Sequence, residues 1–161
     1  MSDWSKGAFL DFGQVYRKAA DYCAAQDRCI SETRLKLATW NVDRSFVGQI
    51  IDKLIDEGFL DEKRFAVNYA GGKFRINGWG KVKIAAGLRA RSVPSGFIQQ
   101  ALSLIDNQEY SLFLSTLLQK KMNQLGSDTT ANRQKATFFA ASRGFEPGLI
   151  ASLLRDIEIF E

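Results

Sequence analysis

Histidine is absent from this 161-residue chain. With it go the commonest general base, the commonest metal ligand and every Ser/His or Cys/His nucleophile pair. Cysteine is nearly absent too: Cys23 and Cys29 stand six apart with no third or fourth partner. That is too few for a zinc site and poorly spaced for one helix face, so both read as ordinary semi-buried thiols. No apolar run approaches the roughly 18 residues of a membrane span. The opening MSDWSKGAFLDFG lacks the basic-then-apolar order of a secretory signal. Neither membrane insertion nor export is expected, which leaves the cytoplasm. There is no GxxxxGKS-type phosphate loop, and GWG at 78–80 is too short to replace one. Asp61 and Glu62 are the one acid pair that suggests carboxylate chemistry, but neighbours on a helix point about 100° apart. Acids at a helix start are the simpler reading, so neither an enzyme nor a cofactor is expected.

What the chain does contain is helical periodicity. Apolar residues make up 45% and charged residues 25%, an ordinary soluble composition. In SFVGQIIDKLIDEG the residues Phe46, Val47, Ile50, Ile51, Leu54 and Ile55 form a one-sided stripe of period near 3.6. Asp43 is placed to cap its start and Gly58 to end it. The spacing returns at Phe97, Ile98, Ala101, Leu102 and Ile105, and again at Leu149, Ile150, Leu153, Leu154 and Ile157.

Each stripe begins four residues after another apolar residue, at Val42, Val93 and Phe145, and these anchors are 51 and 52 residues apart. A repeat of nearly constant length follows. Before each anchor stands Asn41, Ser92 or Gly144, where a left-handed residue closes the preceding helix. Pro94 and Pro147 sit at or beside a first helical position. The expected fold is all-α: a tandem array of three three-helix repeats, elongated and curved, divided at 1–58, 59–106 and 107–161. The helices are expected at 12–26, 31–40 and 43–57; at 61–76, 80–91 and 94–106; and at 108–125, 130–143 and 146–160. No single unit is expected to bury its stripe alone.

Acid is missing from one long stretch. Between Ala70 and Ile105 there is no Asp or Glu, against 18 in the chain, while Lys73, Arg75, Lys81, Lys83, Arg89 and Arg91 all fall there. The remaining 16 of 22 basic residues face all 18 acids, a net of −2, so the whole positive balance of +4 comes from the middle repeat. Phe74 and Trp79 are interleaved with these cations, a pairing that suits a phosphate backbone with a base to stack. The candidate contact set is Lys73, Arg75, Trp79, Lys81, Lys83, Arg89 and Arg91. Against it, four of the cations spread around the axis of a helix over 80–91, as on a merely solvated face, and Trp79 reads equally as a core plug. Asp52, Asp56, Glu57, Asp61 and Glu62 form an acidic group, read as a solvated helix face ahead of the alternative, a contact for a basic partner surface.

GFLDEKRFAVNYA at 58–70, followed by KFRINGWGKVKIAAGLRARSV, resembles the RecX family of bacterial recombinase regulators. The matching positions are Gly58, Phe59, Leu60, Asp61, Arg64, Phe65, Ala66, Tyr69, Lys73, Gly78, Gly80, Lys81, Ile84 and Leu88. The likeness extends over essentially the whole chain, with SRGF at 142–145 similar to the family's last unit. Glu62 replaces a usual Asp, and Asn41 and Ser92 stand where Gly is common. Physically the motif reads as a hinge: Gly58 ends one helix, Asp61 caps the next, and Phe59, Leu60, Phe65 and Tyr69 pack unit one against unit two.

The resemblance implies a non-enzymatic negative regulator that binds the RecA filament on DNA along its helical groove. It would suppress the filament's ATPase, strand-exchange and co-protease activities. The implied partners are the RecA nucleoprotein filament and single- and double-stranded DNA, with the chain a monomer and no membrane involved. Two alternatives stay open, an independent helical DNA-binding module and a protein-only scaffold.

Overall fold

A computed structural model describes residues 10–159. Among these residues the chain is all-helical without a strand, in three consecutive units of three helices. Unit one holds α1 (Phe12–Ala25), α2 (Ile30–Thr39) and α3 (Arg44–Asp56). Unit two holds α4 (Glu62–Arg75), α5 (Lys81–Ala90) and α6 (Ser95–Ser103), and unit three α7 (Asn107–Leu125), α8 (Thr130–Ser142) and α9 (Pro147–Arg155).

Short polar side chains start most of these helices. Asp11, Asp43, Asp61, Asp106 and Thr129 each accept a first-turn backbone N–H, worth about 1 kcal/mol apiece. Between the second and third helix of each unit the left-handed residue stands where the repeat requires it: Asn41 at φ +55°, Ser92 at +58° and Gly144 at +95°. Only Gly144 meets a second demand, because a Cβ there would lie 2.6 Å from the backbone nitrogen of Lys83. Asn and Ser suffice at the first two turns, where nothing but the backbone angle is at stake.

The expected helices α6 and α9 end early, at Ser103 and Arg155, although their stripes run on to Ile105 and Ile157. Both isoleucines are buried all the same. Tight turns carry them inward, with the Ile105 N–H on the Leu102 carbonyl and the Ile157 N–H on that of Leu154, each at 3.2 Å. Burial of the last stripe residue therefore needs no further helical turn. Ile55, at the end of the first stripe, is instead 42% exposed.

The apolar side chains form two cores. Unit one buries Val15, Ala19, Leu37, Ile50, Ile51, Leu54 and Leu60 among its own three helices, so the expectation that no unit covers its stripe alone fails there. Units two and three share the other core, from Phe65 through Leu88 and Leu118 to Ile157, and Cys29 reaches into it from unit one. Both thiols are buried, and burial pushes both up in pKa.

Candidate nucleic-acid interface

The last turn of α4, the GWG loop and the first turn of α5 build the middle of the basic stretch. Gly78 takes φ +67°, and a Cβ on it would stand 3.0 Å from the Phe113 ring. Gly80 touches the backbone of unit three. Between these two glycines the Trp79 N–H bonds the Lys73 carbonyl at 3.0 Å, so the indole is aimed by a loop with little freedom.

Unit three completes the start of α5, which has no side-chain cap of its own. The N–H of Gly80 donates to the Arg143 carbonyl at 2.8 Å and that of Val82 to the Gly144 carbonyl at 2.9 Å. The Lys81 N–H donates to the Tyr110 hydroxyl, also at 2.9 Å. Three of the four N–H groups a helix start leaves open are thus taken by the next unit. The Tyr110 hydroxyl in turn donates to Glu146, and burial above all pushes its pKa up. Phe74, Tyr110, Phe113 and Phe145 lock the joint, with neighbouring centroids 5.3–6.0 Å apart.

Trp79 sits at the edge of the core with cations around it. Part of its ring packs on the shared core, while Lys73 and Lys83 hold their ammonium groups 4.7 and 4.4 Å from its centroid. Lys73 also lies 5.4 Å from Tyr69, whose ring has the Arg91 guanidinium at 5.0 Å. Tyr69 crosses α5 at Gly87, where a Cβ would come within 2.2 Å of its hydroxyl. Tyr69 was missing from the candidate set. It stood in the quoted motif, but nothing local showed that it shares the Lys73 ammonium with Trp79.

The seven candidates do not converge on one point. Lys73, Trp79 and Lys83 form the cluster, and Tyr69 links it to Arg91. Arg91 is committed to a joint: it donates to the Gly87 carbonyl at 3.0 Å and pairs with Glu32 of unit one at 3.4 Å. Its own carbonyl accepts from the Ser31 hydroxyl at 2.7 Å. Lys81 lies 4.7 Å from the Tyr110 ring. Arg75 sits 3.9 Å from Glu109, both exposed, a pair that contributes little. Arg89 is exposed at the far end of α5.

Glu62 departs from the solvated acid expected of it. It is 8% exposed, and Oε1 accepts the Ile30 N–H at 3.2 Å while Oε2 is buried without a partner. Burial raises its pKa, and the Ile30 bond opposes this. The hinge between units one and two is therefore Cys29, Glu62 and Arg91. Phe59 and Leu60 belong to unit one's core, and Phe65 and Tyr69 to the shared one. The other four acids of that group are exposed.

Unit one carries a comparable surface that the charge count had hidden. Tyr22 and Trp40 meet edge to face at 6.2 Å, with Arg28 3.9 Å from the tyrosine and Lys18 4.7 Å from the tryptophan. The unit's acids cancel these cations in any sum over sequence.

Fold and site together define a tandem array of three-helix units with a basic, aromatic middle. The family model described as "RecX, second three-helix domain" matches residues 61–102, a span that holds all seven candidates. "Regulatory protein RecX" of Clostridium acetobutylicum is 27% identical over 92% of this chain and 75% of its own length. That of Clostridium botulinum is 29% identical over 81% of this chain, which spans 62% of that relative's length. The crystal structure of RecX from Lactobacillus salivarius has the same fold, with a TM-score of 0.84 over 91% of this chain and 96% of that one at 22% identity. Over most of its length the chain is similar to the RecX family of regulatory proteins. Among the described residues no helix is long and apolar enough to cross a membrane.

Proposed function

We propose that the chain is a non-enzymatic negative regulator of the RecA recombinase, which binds the RecA filament on DNA and suppresses its ATPase, strand-exchange and co-protease activities. The observation that carries this reading is the Lys73–Trp79–Lys83 cluster within the segment matched by the family model. Each ammonium needs only side-chain rotation to move from the indole to a phosphate, which releases condensed counterions. The ring it uncovers offers a face for a base, worth about 1–3 kcal/mol. Gly78 and Gly80 pin the loop, so little backbone freedom is lost on binding. A linear array of units with its cations at the middle suits a groove lined by a polyanion.

The test is steady-state ATP hydrolysis by RecA on single-stranded DNA, titrated with each protein. Lys73→Glu with Lys83→Glu loses most of the suppression, whereas Asp52→Lys on the exposed face of α3 retains it. Equal inhibition by the double variant and the parent defeats the reading.

A further inference from the structure

Unit three carries a surface for which the basic cluster has no use. Between α7 and α8 lies an open groove of about 570 Å³, lined by Leu125, Ala131, Phe138 and Phe139 with Lys121 and Lys135 beside them. Phe138 is 76% exposed, the one exposed aromatic ring among the described residues. Phe139 next to it has the Lys121 ammonium at 4.7 Å and the Arg143 guanidinium at 4.8 Å. No carboxylate lines the groove, and α8 contains none. Asp128, just before α8, is already bound to Arg133.

A phenylalanine left in water at this exposure gains nothing for the fold, and apolar patches ringed by polar groups mark surfaces that a partner covers. The lining is chiefly aliphatic and aromatic, which fits side chains of a peptide better than a flat base. Its only charges are positive, so the complementary occupant is acidic. We propose that the α7–α8 groove docks an acidic amphipathic segment of a partner protein. Apolar anchors of that segment rest on Leu125, Phe138 and Phe139, and its carboxylates meet Lys121, Lys135 and Arg143. This inference is independent of the DNA contact in unit two.

The test is fluorescence anisotropy with the full chain and a labelled helical peptide of about 15 residues, four turns long. The peptide carries leucine and tryptophan at i, i+3 and i+4 spacing and glutamate elsewhere. Its counterpart has glutamine for every glutamate, and a labelled oligothymidine is the third probe. The acidic peptide is expected to bind, and the glutamine peptide to bind at least about tenfold more weakly, a difference of about 1.4 kcal/mol. Phe138→Ser, and separately Lys121→Glu with Lys135→Glu, are expected to lose at least as much. Because Phe138 is exposed, its variant should melt with the parent and bind oligothymidine unchanged. Three results overturn the proposal: acidic peptide that does not bind or binds Phe138→Ser equally well, oligothymidine as the probe that Phe138→Ser weakens, or sedimentation in which that substitution abolishes self-association. None of them touches the RecA reading, which stands or falls with Lys73 and Lys83.

Discussion

Gly80 and Gly144 meet backbone on backbone: a Cβ on Gly80 would lie 2.3 Å from the carbonyl carbon and oxygen of Gly144. The turn that ends α8 thereby serves as the cap of α5, and the basic segment of unit two is held in place by unit three. Gly80→Ala forces the two turns apart. It should cost about 1–3 kcal/mol, the range of overpacking, and lower the urea midpoint accordingly. Gly48→Ala in α3, where a new Cβ meets nothing within 4 Å, should stabilise by about 0.5–1 kcal/mol. A near-neutral Gly80→Ala refutes the close joint.

The two cores make unit one a separate cooperative region. Leu54 is fully buried in that unit's own core, and Leu54→Ala should destabilise it by about 2–5 kcal/mol. Amide hydrogen exchange should then accelerate through α1, α2 and α3 while α4 to α9 keep their protection. Uniform loss of protection across the chain contradicts a division at the hinge.

Glu62 gives the hinge a pH dependence of defined sign. The groups facing it across the joint are the Cys29 thiol and the Ile30 N–H, with Glu32 bonded to the Cys29 N–H and to Arg91. Because burial raises its folded pKa above the ordinary 4.5, the folded state holds this proton more tightly than the unfolded state. The associated stability is fully present below about 4.5 and is lost as the pH climbs through the raised value. Glu62→Gln should remove that decline, so the gap in melting temperature between variant and parent should shift in the variant's favour as the pH rises. A gap that does not change with pH contradicts a raised Glu62.

If Lys73 and Lys83 reach phosphates, log affinity for single-stranded DNA falls with log salt by about 0.7 per contact. Lys73→Glu with Lys83→Glu should therefore flatten the slope by roughly 1.4 between about 50 and 200 mM salt, read by anisotropy of labelled oligothymidine. Salt-independent binding by the parent removes phosphate contact as the basis of the site.

Much of the secondary structure was legible because it is local. The stripe around Ile50, its cap at Asp43 and the left-handed turn at Asn41 are decided by residues within a few positions, as are the matching features at Ser92 and Gly144. Helix ends were less legible at Ile105 and Ile157, since a turn and a helix can bury the same residue. Of the candidate site, Lys73, Trp79 and Lys83 came together because they flank one tight loop.

By itself the sequence determined the nine helices found among the described residues, a basic middle and a family motif, since periodicity, capping and charge are written along the chain. Tertiary structure alone decided which cations stay available. Arg91 is drawn to Glu32, 59 residues away, and Arg75 lies beside Glu109 of unit three. It also buried Glu62, which the sequence shows only as an acid at a helix start, and joined two units through Gly80 and Gly144 while leaving unit one its own core. The physical reason is common to all of these: charge pairing, desolvation and steric exclusion act over a few ångströms of space, and helices folded back on one another bring together residues that no local window contains.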